Sequence, residues 1–110
     1  QEDAEDEVFM IVEEPAEFEG SMDKLKAFIK RNIQIPDEMN TLNISGVVIL
    51  EIIINPDGSL GEIKVLRGLD PVLDKEAIRV IKLTDGKWKP AGQSGQKVKS
   101  SLVIPVKFEL

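Results

Sequence analysis

The sequence contains neither cysteine nor histidine. That excludes thiolate chemistry, Ser–His and Cys–His nucleophile pairs, and nearly every zinc site. It leaves the redox compartment open, because a chain without cysteine fits any. Tyrosine is absent too, and one Trp and four Phe are the whole aromatic complement, so a core must be mainly aliphatic. No apolar run reaches the ~20 residues that span a bilayer. The longest, Val47–Ile54, is broken by Glu51 and has the length of a strand. No signal peptide is visible, and the first residue is Gln1, as expected of a trimmed or processed chain. Basic charge is scarce: 14 Lys and Arg stand against 20 Asp and Glu, a net charge of −6. A nucleic-acid partner is therefore not expected, since phosphate binding needs clustered Lys and Arg.

What is present fits one domain: 110 residues, 42% of them hydrophobic. Much of the acidity lies in the first nineteen residues, from Glu2 to Glu19, and reads as a solvated arm. We divide the chain into an acidic arm, 1–13, and a folded domain, 14–110. Within the arm, the apolar run Val8–Val12 has the character of a short strand ended by Pro15.

Ser21 is a suitable N-cap, and Met22, Leu25, Phe28 and Ile29 follow at helical spacing. Pro36 biases Ile35 away from helix, so the first helix spans about 21–32. A further turn of helix fits within Pro36–Asn43. Gly46 opens the strongest strand signal, Val47–Ile54, apolar on nearly both faces and hence central in its sheet. Asn55-Pro56-Asp57-Gly58 is a tight turn, and a strand over 60–67 completes a hairpin. Asp70 as N-cap and Pro71 in the first turn start a second helix, whose stop is Gly86. Residues 87–100, rich in Lys, Gly, Ser and Gln, read as a loop. Trp88 within it reads as a core residue. In the final strand, Leu102–Leu110, Leu102, Ile104, Val106, Phe108 and Leu110 face one way, and Val103, Pro105, Lys107 and Glu109 the other.

A helical crossover normally returns the chain parallel to the strand it left. The expected fold is therefore α+β: two helices on one face of a three-stranded antiparallel sheet of order 2-1-3, with an extra short N-terminal strand. The last strand is then an edge with a rim of unpaired N–H and C=O groups. Pro105 suits an edge, where a missing N–H breaks no ladder.

Several stretches together resemble the C-terminal domain of TonB, especially its Bacteroides-type form. They are Glu14–Met22, Ile35-Pro36, Ile44–Val48, Asn55–Ser59, Leu69–Ala77, Trp88-Lys89-Pro90 and Val103–Phe108. The likeness runs over roughly residues 14–110. Two positions depart from it: Ile35 stands where the family commonly has an aromatic residue, and Asn40 where it often has Gln.

The resemblance implies a non-enzymatic periplasmic domain without cofactor or metal. It would grip the TonB box of TonB-dependent outer-membrane receptors by strand addition and pass on energy from the proton gradient for uptake of siderophores or other nutrients. On this sequence the grip maps to Ser101, Leu102, Val103, Ile104, Pro105, Val106, Lys107 and Phe108, with Asn40 as an auxiliary contact. The family also implies an inner-membrane tether outside this chain and ExbB/ExbD-type motor partners. Two other readings stand beside this one: a sensor or anchoring module of a membrane signalling protein, and a homodimer formed through the free edge. Val8–Val12 would then either pair with that same edge, in competition with a receptor box, or pack as an extra strand elsewhere.

Overall fold

The computed structural model describes residues 8–37 and 45–109. In chain order the elements are β1 (Val8–Phe9), β2 (Glu17–Phe18), α1 (Met22–Asn32), β3 (Gly46–Ile54), β4 (Leu60–Arg67), α2 (Pro71–Lys82), β5 (Trp88–Lys89), β6 (Ala91–Gln93) and β7 (Gln96–Phe108). The turn of helix expected within Pro36–Asn43 falls, beyond Asp37, outside the described residues.

Both helices start at side chains chosen for the task. The Ser21 hydroxyl accepts the Lys24 N–H at 3.2 Å, and the Asp70 carboxylate accepts the Val72 N–H at 2.8 Å. Each occupies a donor that the first helical turn leaves unpaired. The two helices are tied side by side. Arg79 on α2 donates to the Asn32 carbonyl at the end of α1 (2.8 Å) and pairs with Glu76 (2.7 Å), whose carboxylate also accepts the Gln34 N–H. The hydrogen bond from Arg79 holds the Glu76 carboxyl below its ordinary value.

The main sheet departs from the expected one. Three antiparallel strands in the order 2-1-3 were anticipated. The sheet instead has five strands and is mixed: β1, β7, β3 and β4 lie in that order, and β6 pairs with β7 off this path. β3 runs antiparallel to both neighbours, and against β7 the register is unbroken from Gly46 opposite Phe108 to Ile54 opposite Ser100. β1 adds in parallel, Val8 opposite Lys99 and Phe9 opposite Ser100. Only two of the five residues Val8–Val12 are strand, because the chain bends away after Phe9.

The segment read as a loop, 87–100, is also corrected. It holds β5, β6 and the first part of β7, with a tight hairpin at Ser94 (φ 54°) and Gly95 (φ 77°). Two successive positive φ angles match the twist of a two-residue hairpin. The acidic segment 13–18 runs antiparallel to 88–93 as a strap: Glu14 faces Gly92, Glu17 faces Lys89 and Phe18 faces Trp88. These pairs share one register, interrupted where Pro15 and Pro90 offer no N–H. α2 ends at Lys82, before Gly86. Thr84 in the following turn donates to the Ile81 carbonyl and accepts the Trp88 indole N–H at 2.9 Å.

The core lies between the helices and one sheet face. Val48, Leu50, Ile52 and Ile54 of β3 meet Leu73, Ala77, Val80 and Ile81 of α2, all buried. Phe18 joins the strap to this core, with its ring 5.6 Å from Trp88 and 5.4 Å from Phe28. The β3–β4 turn closes against β5. A Cβ on Gly58 (φ 86°) would lie 2.6 Å from the Trp88 carbonyl oxygen, so this position requires glycine on both counts.

Candidate functional site

β7 is paired unevenly along its length. Gln96–Val98 pair with β6, Lys99 and Ser100 pair with β1, and Ser100–Phe108 pair with β3. From Ser101 to Phe108, among the described residues, no strand lies on the rim away from β3. The positions to which the resemblance pointed therefore form one continuous backbone edge. Asn40 lies outside the described residues.

The side chains of this stretch divide by face. Ile104, Val106 and Phe108 are buried in the core, Ser101 and Leu102 are half-buried, and Val103, Pro105 and Lys107 are exposed. Buried side chains set the depth and twist of the strand but cannot touch an incoming chain. What the edge offers is backbone, plus a thin row of exposed side chains on the outer face. Pro105 faces Ile49 in an unbroken register and has no N–H to give β3. Antiparallel strands alternate the direction of their backbone groups. Pro105 therefore costs no ladder bond if 101, 103, 105 and 107 turn their N–H and C=O groups to the rim.

Each end of the edge opens on a recess. Near Ser100, a recess of about 310 Å³ lies between β7 and the crossing segment of Met10, Ile11, Val12, Pro15 and Ala16. Met10 and Ile11 are strongly exposed apolar residues, 75% and 90% accessible. Ser100 lines this recess, and its hydroxyl is buried without a hydrogen-bond partner among the described residues. At the other end a cleft of about 600 Å³ separates α1 from the end of β7. There Lys107 pairs with Glu109 at 2.8 Å. The hydrogen bond and charge of Lys107 hold the Glu109 carboxyl below its ordinary value, and Lys30 adds to the effect. Both partners of this pair are exposed, so it contributes little to stability.

The strap and the extension of β7 to Gln96 escaped the sequence reading. The Ser94-Gly95 pair was the available signal for the hairpin, a dipeptide suited to tight turns. Trp88, expected in the core, is buried there, 5% exposed. Asp74 is engaged by the Leu69 N–H at 2.9 Å, a structural role like that of Asp70. Among the described residues, no three Asp or Glu cluster as a metal site would require, and no helix is long and apolar enough to cross a membrane.

Comparison with known proteins agrees with this architecture. The chain is similar to the NMR solution structure of Helicobacter pylori TonB-CTD (its residues 179–285), at 24% identity and a TM-score of 0.64, covering 81% of this chain and 79% of that one. It is also similar to the NMR solution structure of a shorter form of the same domain (its residues 194–285), at 26% identity and a TM-score of 0.63, covering 80% and 91%. No curated protein matches the chain. The family profile described as Gram-negative bacterial TonB protein C-terminal matches residues 31–110, which takes in β3, β4, α2 and all of β7. The chain belongs to the TonB C-terminal family.

Proposed function

We propose that this domain captures an extended segment of an outer-membrane receptor, the TonB box, by strand addition along Ser101–Phe108. The observation that carries the reading is the rim of β7 over those residues, which has no strand beside it among the described residues while β3 pairs the other side throughout. In strand addition the main-chain hydrogen bonds provide the hold, and side-chain pockets provide selectivity. Each net bond contributes about 0.5–1.5 kcal/mol, so three or four along this rim support a specific but reversible grip. A backbone grip tolerates varied box sequences, which suits one coupler serving several receptors.

The added strand would lie along the direction of pull, so that its bonds share a load and must break together. On this reading the domain works in the periplasm, tethered to the inner membrane and driven by ExbB/ExbD-type motor proteins. It then transmits energy and performs no chemistry of its own. The family assignment and the absence of any Cys or His from the chain support that picture. The test is a titration of isotopically labelled domain with TonB-box peptides, followed by NMR. Amide shifts should concentrate at 101–108; binding with shifts elsewhere and none there would overturn the assignment.

A further inference from the structure

The cleft at the far end of the rim is not used by strand addition alone. Its walls come from α1, through Lys26, Ile29 and Lys30, and from β7, through Pro105, Lys107 and Phe108. Positions 26, 29 and 30 share one face of a helix. Ile29 is buried and anchors that face, while Lys26 and Lys30 are exposed. Among the described residues, neither lysine has a carboxylate within salt-bridge distance. Three lysines therefore line this partly apolar cleft, Lys107 paired with Glu109 and Lys26 and Lys30 free of such a partner among the described residues, in a chain whose net charge is −6.

We propose that this cleft receives an acidic flank of the segment that pairs with β7, so that the preferred partner carries Glu or Asp just beyond its extended stretch, on the side that reaches Phe108. The inference rests on the strand-addition reading and adds the chemistry of the partner to it. Two observations favour this occupant. First, the cleft is continuous with the rim, since Pro105, Lys107 and Phe108 belong to both. A chain leaving the rim at Phe108 enters the cleft directly. Second, the cleft already holds a carboxylate. Glu109 sits there bonded to Lys107 at 2.8 Å, with its carboxyl stabilised in the charged form by Lys107 and then by Lys30. A free polyanion would meet the repulsion of the whole acidic chain. An acidic residue on a segment already held by its backbone is brought close to the lysines, and Coulomb attraction grows as the separation falls. Complementary charge of this kind fixes register and selects partners more than it adds affinity.

The experiment uses three synthetic peptides: a TonB-box peptide, the same peptide with Glu-Glu at its amino end, and the same with Glu-Glu at its carboxyl end. Binding to the wild-type domain is measured by calorimetry at low and high salt. One of the two extended peptides should bind about 3- to 10-fold tighter than the plain one at low salt, the range expected of a few exposed charge pairs. The gain should vanish at high salt and in Lys26→Gln/Lys30→Gln, with Lys26→Gln alone as the milder variant should the double one fold poorly. Equal binding of all three peptides, a gain at both ends, or a gain that survives in the lysine variants would overturn the proposal. If the plain peptide does not bind at all, the strand-addition reading fails first and takes this one with it.

Discussion

Every residue of β7 from Gln96 to Ser100 pairs with β6 or β1, whereas from Ser101 to Phe108 β3 is the only strand beside it among the described residues. The two lengths also differ in composition. The first carries one apolar side chain, Val98; the second buries Ile104, Val106 and Phe108. A polar length of strand is held in place by its neighbours. An apolar length is held by its own core face and can leave a rim bare. The bare rim is also protected, because Pro105 and Lys107 are residues that discourage indiscriminate edge-to-edge pairing. An edge that is rigid, open and guarded is suited to accepting a chosen strand.

The largest expected effect lies in what holds the covered length in place. Phe18 is buried between Phe28 and Trp88 and joins the strap to the core. Phe18→Ala should destabilise the domain by about 3–5 kcal/mol in urea unfolding. Hydrogen exchange should rise first in 13–18 and 88–93, with the β3–β7 ladder still protected. Loss of protection in both regions at the same rate would mean that the strap and the sheet are one cooperative unit, and the contrast between the two lengths would lose its energetic basis.

The open length is broken differently. Val103→Pro removes an N–H that the alternation around Pro105 assigns to the rim, and it leaves the β3 ladder its bonds. Affinity for a box peptide should fall about tenfold, the scale of one lost hydrogen bond with some strain, while Val103→Ala should bind nearly as wild type. Dispersed amide spectra would confirm that both variants are folded. Full affinity in Val103→Pro would show that the backbone there is not what the partner grips.

Legibility followed the same division. The apolar length of β7 announces itself by alternation, as does β3, and the caps Ser21 and Asp70 stand where the helices begin. Over Gln96–Ser100 only Val98 and Ser100 turn to the core, and one apolar residue in five makes no pattern. The strap is harder still. Its partners lie about 70 to 80 residues apart, and on each side only three residues pair, with a proline among them. Nothing local distinguishes Glu13–Glu19 from a solvated acidic run, because what orders it is the burial of Phe18 against a residue far along the chain. The extra strand β1 was legible as β-prone and short, but its end at Phe9 and its parallel pairing with β7 were not. Its pairing covers only Lys99 and Ser100, where Phe9 packs against the core and the chain then turns to reach Gly92.

That boundary at Ser100 gives the smallest and most discriminating effect. β1 lies on the rim an incoming strand would use and stops one residue short of it. Its neighbours Met10 and Ile11 are exposed beside that point. Removing residues 1–12 frees Lys99 and Ser100 for pairing and lets a receptor segment extend past Ser101. Two further backbone positions are worth at most about two net hydrogen bonds, partly offset by the entropy of ordering more of the ligand. The truncated domain should therefore bind a box peptide about two- to fivefold tighter, with new amide shifts at Lys99 and Ser100. Unchanged affinity would mean that β1 merely ends the sheet. Weaker affinity would mean that Met10 and Ile11 contact the guest, and the arm would then belong to the binding surface it had been thought to limit.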